Sequence, residues 1–265
     1  MTLSAEPIPD ATVRVTVLGS GSRGNSYVVT HLESMESIVI DAGISRPKTI
    51  RGQEFEPCAC FITHTHGDHV NHVYRYWDCP IYVSHTECMK QRFLSKLKHA
   101  YPYNIVHIHD GYVACPVSKK HPPRSFFTVT AYHANHDTED PLHYVVWSGR
   151  KKLFFGCDTH GYSPEVLREL RVCDAVFAEY NYDDDLIKMN HDMYPGYTER
   201  ARAKHTGTEI FSRVVDIVQP GCLCATHLSS HHNTPEAVTT RYPGVFVASR
   251  SGIDKNPLSN GEFWI

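Results

Sequence analysis

Between positions 63 and 70 the chain reads Thr63-His64-Thr65-His66-Gly67-Asp68-His69-Val70, directly after the apolar run 58–63. Three imidazoles and a carboxylate in so short a stretch are useless to an apolar core, because each polar atom costs free energy when buried without a partner. Each neutral imidazole offers one lone pair, and the turns of a loop can aim several of them at common points. The His-x-His pair is spaced to grip one metal and the Asp-His pair a second. Nitrogen and oxygen donors of this kind suit zinc, manganese or iron. Any fold open to this chain must therefore end a buried strand at this loop and bring further ligands to it. Histidine use agrees: 19 residues, against 16 glycines and 16 prolines.

The 265 residues, 41% of them hydrophobic and 21% charged, suit a packed core and are unlike a disordered chain. A formal net charge of −3 excludes a globally basic nucleic-acid binder. Charge is uneven, however: Lys90, Arg92, Lys96, Lys98, Lys119, Lys120 and Arg124 fall in one stretch with Asp110 as its only acid. Such a stretch reads either as a solvated face or as a patch that meets a phosphate backbone. No apolar run is long enough to span a membrane, and MTLSAEPIPD at the start carries no signal-peptide pattern. The nine cysteines are odd in number and include no C-x-x-C pair, so free, buried thiols in a cytoplasmic protein are expected. The pairs Cys58/Cys60 and Cys222/Cys224 have the spacing that puts two side chains on one face of a strand.

Strand and helix signals interleave without a linker or repeat. The β-branched run 13–18 leads into the glycine-rich turn Gly19-Ser20-Gly21-Ser22-Arg23-Gly24-Asn25, which is either a tight strand connection or a cradle for an anion. Strands are predicted at 27–30, 37–40, 58–63, 81–84, 176–178 and 222–226, and a hairpin at 144–147 and 152–156 around Ser148-Gly149-Arg150. The spacing of Met89, Phe93, Leu94 and Leu97 predicts a helix over 86–99. Ser163-Pro164-Glu165 marks a helix start, and 208–218 reads as an amphipathic helix facing inward through Ile210, Phe211, Val214, Val215 and Val218. One mixed α/β domain over 13–265 is expected, after an N-terminal extension at 1–12.

His64-x-His66-x-Asp68-His69 after a strand resembles the metallo-β-lactamase superfamily. The resemblance implies an αββα four-layer sandwich with two divalent metal ions at one sheet edge, zinc first and manganese or iron next. It runs from about residue 13 to 247, and the family's remaining motifs occur in order. Asp41 of Asp41-Ala42-Gly43 matches the aspartate that supports the histidine loop. His136 of His136-Asp137 matches the third motif and would complete the first metal site, with His133 and His143 as competitors. Asp158 matches the carboxylate shared by both metals, and His227 of His227-Leu228-Ser229 matches a ligand of the second.

Within the superfamily the sequence is most similar to the YycJ/WalJ-like, exonuclease-like subgroup. Four segments carry that likeness: the turn Gly19–Asn25, His136-Asp137-x-x-Asp140-Pro141, Glu179-Tyr180-Asn181, and the stretch from His227 to Glu236. Two departures stand out: the subgroup's Asn-His-Asp reads Asn181-Tyr182-Asp183, and its Gly-His-Leu-Ser reads Lys204-His205-Thr206-Gly207. His205 also resembles the His-x-Thr element of ribonuclease Z-type phosphodiesterases. These likenesses imply hydrolysis of a phosphodiester in nucleic acid or a nucleotide, cyclic ones included. A hydroxide bridging the metals would attack, oriented by Asp68, and His205 would assist the leaving group. Ser22, Asn25, Lys96 and Lys98 are candidate substrate-binding residues. Hydrolysis of thioesters or lactones on the same metals is the alternative, and a non-catalytic metal-stabilised module the next. No β-CASP-sized insertion separates Asp158 from His227, so short strands, ends or small, cyclic nucleotides are favoured as partners; the oligomeric state is left open, a symmetric homodimer being the general prior.

Overall fold

The computed structural model describes residues 4, 10–97, 103–156, 158–248 and 261–265. Most of the stretch 1–12 lies outside them, as does Lys98. The first half of the chain runs β1 (Val13–Gly19), β2 (Ser26–His31), β3 (Glu36–Ile40), a small hairpin β4 (Thr49–Ile50) and β5 (Gln53–Glu54), then β6 (Ala59–Phe61). The histidine loop follows and contains the single turn α1 (Gly67–Val70). After it come β7 (Ile81–Ser84), α2 (His85–Cys88), α3 (Gln91–Leu94) and β8 (Ile105–Ile108). The second half runs β9 (Val113–Ala114), β10 (Phe127–His133), β11 (Leu142–Ser148), β12 (Lys151–Gly156), α4 (Pro164–Leu170) and β13 (Ala175–Glu179). It continues with α5 (Asp184–Met189), α6 (Pro195–Lys204), α7 (Thr208–Ile217), β14 (Leu223–Thr226), α8 (Pro235–Arg241), β15 (Phe246–Val247) and β16 (Glu262–Trp264).

Among the described residues the strands form two seven-stranded sheets, ordered β16-β1-β2-β3-β6-β7-β8 and β15-β14-β13-β12-β11-β10-β9. Read from β16 in the first and from β9 in the second, three antiparallel pairings are followed by three parallel ones. The central strands β2, β3, β6, β12, β13 and β14 are buried along their whole length, while β10 alternates apolar inward with polar outward residues; period 2 sends alternate residues to different layers. Val15, Ile38, Phe61, Tyr144, Phe155 and Phe177 meet between the sheets. Val39, Cys60 and Val83 pack outward against Val70, Tyr76 and Phe93. Phe154, Val176 and Ala225 pack outward against Val166, Leu170, Phe211, Val214 and Val238 of α4, α7 and α8. The result is the expected αββα sandwich. None of its described helices is long and apolar enough to cross a membrane.

Several sequence expectations shift. The helix expected over 86–99 is two single turns, and Met89 and Leu94 of its supposed inward arc are exposed. Ser84 caps α2 by accepting the Glu87 amide, and the buried Glu87 carboxylate is held by Thr65 and Lys90, so the turn is set by the histidine loop rather than by propensity. Both cysteine pairs are split across layers: Cys58 and Cys224 face the inter-sheet core, Cys60 and Cys222 the outer ones. Cys58 precedes β6 and Cys222 lies in the 3-10 turn before β14, outside the reach of strand alternation. Strand β10 was not expected, although Phe127, Val129 and Ala131 alternate inward along it.

Candidate metal centre and active site

The parallel strands β3, β6, β12, β13 and β14 all release their chemistry-bearing residues at one end of the sandwich, where open α/β sheets place ligands. Asp41 follows β3 in the left-handed region, φ 62°. Its Oδ1 accepts from the Thr63 amide (2.8 Å) and hydroxyl (3.0 Å), and its Oδ2 from His69 Nδ1 (2.7 Å). The backbone is laced alongside: the Ala42 amide donates to His69 O and the Asn25 amide to Asp68 O, each at 2.7 Å. Gly43 explains itself here, since a Cβ would lie 1.7 Å from Asp68 O. On the far side Glu87 accepts from the Thr65 amide (2.9 Å). The histidine loop is therefore clamped by two buried carboxylates.

Seven side chains converge into two donor groups, His64/His66/His136/Asp158 and Asp68/His69/Asp158/His227, whose donor atoms lie within 4.8 Å of one another. Each oxygen of Asp158 serves one group. Oδ2 is 3.7 Å from both His64 Nε2 and His136 Nε2, while Oδ1 is 3.4 Å from His69 Nε2 and 3.2 Å from His227 Nε2. In the first group His66 Nδ1 stands 3.0 Å from His64 Nε2 and 3.2 Å from His136 Nε2.

This arrangement fits divalent metals on three counts. Four donors each about 2.0–2.1 Å from one tetrahedral zinc would stand about 3.3 Å apart, close to the spacings above. The outer nitrogens of His69, His136 and His227 face acceptors with no proton to give: Asp41 Oδ2, Lys204 O (3.2 Å) and Glu179 Oε1 (3.1 Å). Their Nδ1 atoms carry the hydrogen, and lone pairs on Nε2 point inward. Finally, Asp158 Oδ1 is buried without a hydrogen-bond partner among the described residues. Without metal, burial alone would raise the Asp158 carboxyl, yet His227 and His69 beside it, then holding a proton on Nε2 as well, keep it well below the usual carboxylate range. The two competitors stand apart: His133 is exposed, and His143 is buried against Phe154 and Tyr162.

Glu179 is the residue the sequence reading missed. Fully buried at the end of β13, it accepts from His205 Nδ1 (2.7 Å), His227 Nδ1 (3.1 Å) and the amides of Thr159 (2.8 Å) and Thr206 (3.1 Å). Burial works against its ionisation, but His205 first among these partners draws its carboxyl down to about 2. Only its place inside the quoted Glu179-Tyr180-Asn181 segment pointed to it. His205 stacks on His227 with ring centroids 5.3 Å apart. With Nδ1 committed to Glu179, its Nε2 is the nitrogen left for the cavity.

That cavity, about 210 Å³, is lined by His66, His136, Asp158, Asp68 and His227 of the donor groups, by His205, by Ser22 from the glycine turn, and by Tyr197, Arg200 and Lys204 of α6. Ser22 thus sits where expected. Asn25 does not: it is fully buried, accepts from the Gly21 amide (2.8 Å), and lies against His69 Nε2 at 3.0 Å, so it holds the loop. Lys96 is not among the cavity-lining residues. Other cations of the basic stretch are engaged elsewhere, Lys90 and Arg92 with Glu87 and Lys119 with Asp78. The cations that do reach the cavity, Arg200 and Lys204, come from α6.

The two departures from the subgroup pattern touch each other. A Cβ on Gly207 would lie 2.2 Å from the Tyr182 ring, so the tyrosine occupies space that any side chain at 207 would need.

Two facing sheets with a His/Asp cluster at the carboxyl ends of their parallel strands constitute the metallo-β-lactamase fold. Residues 36–228 match the family model described as a beta-lactamase superfamily domain, and the chain belongs to that superfamily. No curated protein matches it by sequence. Among solved structures it is similar to Zn²⁺-bound PqqB from Methylobacterium extorquens, with TM-score 0.66, 14% identity, and 90% of this chain and 98% of that one covered. It is also similar to the short form of human tRNase Z (TM-score 0.57, 17% identity, 82% and 93% covered). A third is a diphosphatase of the PhnP family (TM-score 0.62, 15% identity, 90% and 95% covered). At these identities the likeness is one of fold.

Proposed function

We propose that this chain is a metal-dependent phosphodiesterase acting on nucleic acid or a nucleotide, with zinc the first choice of metal. The observation that carries the reading is His205, buttressed by Glu179 and opening onto a cavity that it shares with both donor groups and the cations of α6. His64, His66, His136 and Asp158 would hold one ion; Asp68, His69, Asp158 and His227 would hold the other. When bound, the ions would supply a nucleophile at neutral pH and offset charge developing on the substrate. The chain's own groups supply the rest. Arg200 and Lys204 attract an anion, His205 Nε2 hands a proton to the departing oxygen, and Glu179 fixes the ring that does so. Similarity to tRNase Z and to a diphosphatase supports phosphorus as the reacting centre; a carboxyl ester would give the α6 cations no task.

The test is hydrolysis of bis(p-nitrophenyl) phosphate by chelator-treated protein with and without added Zn²⁺ or Mn²⁺, beside His66→Ala. Metal-dependent turnover that the variant lacks is expected. Turnover of thioesters but not of the diester by metal-loaded protein would reject the reading. On a dinucleotide, whose departing sugar oxygen needs a proton as p-nitrophenolate does not, His205→Ala should lower turnover by about 10²–10⁴-fold while metal content per chain stays as in the unaltered protein. Equal activity would remove His205 from the mechanism.

A further inference from the structure

We infer that the cavity face of α6 is a nucleotide subsite, in which Tyr197 stacks a base and Arg200 takes a phosphate that is not cleaved; this rests on the phosphodiesterase reading. Helix α6 is an odd component of the sandwich. Of its ten residues only Thr198 and Ala201 are buried, so it contributes little to any core, and a helix polar on most sides needs another reason for its position. Tyr197, Arg200, Ala201 and Lys204 are spaced three and four apart, the spacing of one helical face, and all four line the cavity.

The face has a direction. Lys204, at its inner end, is ion-paired with Asp137, whose Oδ1 lies 2.9 Å from His136 Nε2. Tyr197 lies seven residues earlier, about 10 Å along the helix, with Arg200 between them. Arg200 is exposed and has no carboxylate partner among the described residues, unlike Lys204. Its planar guanidinium suits a phosphate presented beside the reacting centre. Tyr197 is 59% exposed, and its ring rests against His231 with centroids 4.7 Å apart, while Tyr194 packs on the same imidazole at 4.4 Å. The rings are tilted by 36° rather than stacked, yet an aromatic ring braced from one side and largely exposed on the other is a platform for a base, whatever the base's identity. Inner cation, unpaired guanidinium and outer aromatic thus follow the order of scissile phosphate, neighbouring phosphate and base.

Three synthetic esters separate these roles: methyl p-nitrophenyl phosphate, thymidine 5′-(p-nitrophenyl phosphate), and the latter carrying a 3′-phosphate. The unaltered chain should prefer the thymidine ester to the methyl ester in kcat/KM. Tyr197→Leu should shrink that ratio about tenfold or more, chiefly through KM. Arg200→Gln should erase the added preference for the 3′-phosphate. Ratios unchanged in both variants would overturn the inference, as would equal losses on all three esters. Binding of thymidine 3′,5′-bisphosphate, followed by calorimetry on the same proteins, is the independent reading. Binding that both variants weaken, in a chain that cleaves none of the esters, would sink the catalytic proposal and keep the subsite. Ester hydrolysis without binding of the bisphosphate, or with binding indifferent to both substitutions, would sink the subsite alone.

Discussion

The two halves of the molecule repeat one sheet pattern and place an aspartate at matching points, yet they use it in opposite ways. Asp41 follows β3 and Asp158 follows β12, each the first strand of its sheet to take a parallel neighbour on the side leading to the site. Both adopt the left-handed backbone, φ 62° and 48°, a conformation that costs a non-glycine residue roughly 1–2 kcal/mol. In the first half that strain is offset by the bonds from Thr63 and His69 to both Asp41 oxygens. In the second, Asp158 is ringed by imidazoles and keeps a buried oxygen without a hydrogen-bond partner. One aspartate shapes the histidine loop; the other is placed by the fold as a candidate ligand. Duplicate geometry therefore does not dictate duplicate chemistry, and what decides is whether a donor stands opposite the carboxylate.

The largest effect expected from breaking this comparison is at Asp158. Asp158→Asn should strip metal from both donor groups and lower hydrolysis about a thousandfold or more, checked by metal analysis and turnover. Asp41→Asn should behave differently. It should keep both sites but weaken metal affinity by about 10–100-fold, and cost about 2–3 kcal/mol in urea unfolding of metal-free protein. Equal metal loss and equal destabilisation in the two variants would refute the division into support and ligand.

A smaller effect sharpens the contrast within the second half. Restoring a side chain by Gly207→Ser should cost about 1–3 kcal/mol through collision with Tyr182, and adding Tyr182→His should recover most of it. Additive losses in that double-mutant cycle would show that the two positions do not share space.

The least effect belongs to His143, a histidine of the second half that takes no part in the site. Burial pushes its imidazole down to about 3, and both ring nitrogens lack partners among the described residues. Below its ordinary value of about 6.5 the unfolded chain binds a proton that the folded chain refuses. The stability present above that pH is therefore lost as pH falls towards 3, by about 2 kcal/mol at pH 5. His143→Leu should unfold with a correspondingly flatter dependence between pH 8 and pH 5. An unchanged slope would mean that the ring is hydrated in solution.

Legibility followed the range of the interaction. The histidine loop, the Asp41-Ala42-Gly43 turn and the β11–β12 hairpin could be read directly, since ligand type, turn glycine and alternation are written within a few neighbouring residues. Helix α4 was equally plain from its capping Ser163, which accepts the Val166 amide at 3.2 Å. The helix expected over 86–99 failed because Glu87 answers to Thr65, a residue of the histidine loop, and not to its own helical neighbours. The basic stretch was silent for a related reason: sequence does not tell that Glu87 and Asp78 engage Lys90, Arg92 and Lys119 away from the cavity.

By itself, then, the sequence determined which groups are present to bind metal and which strand ends must carry them, because coordination chemistry depends on residue type and local spacing. The tertiary structure alone decided that Glu179 joins His205 to His227, that Asn25 is buried against the loop, and that Arg200 and Lys204 of α6 line the cavity. Those outcomes depend on which residues, distant along the chain, exclude water from one another, and an isolated carboxylate, amide or guanidinium carries no mark of the partner it will meet.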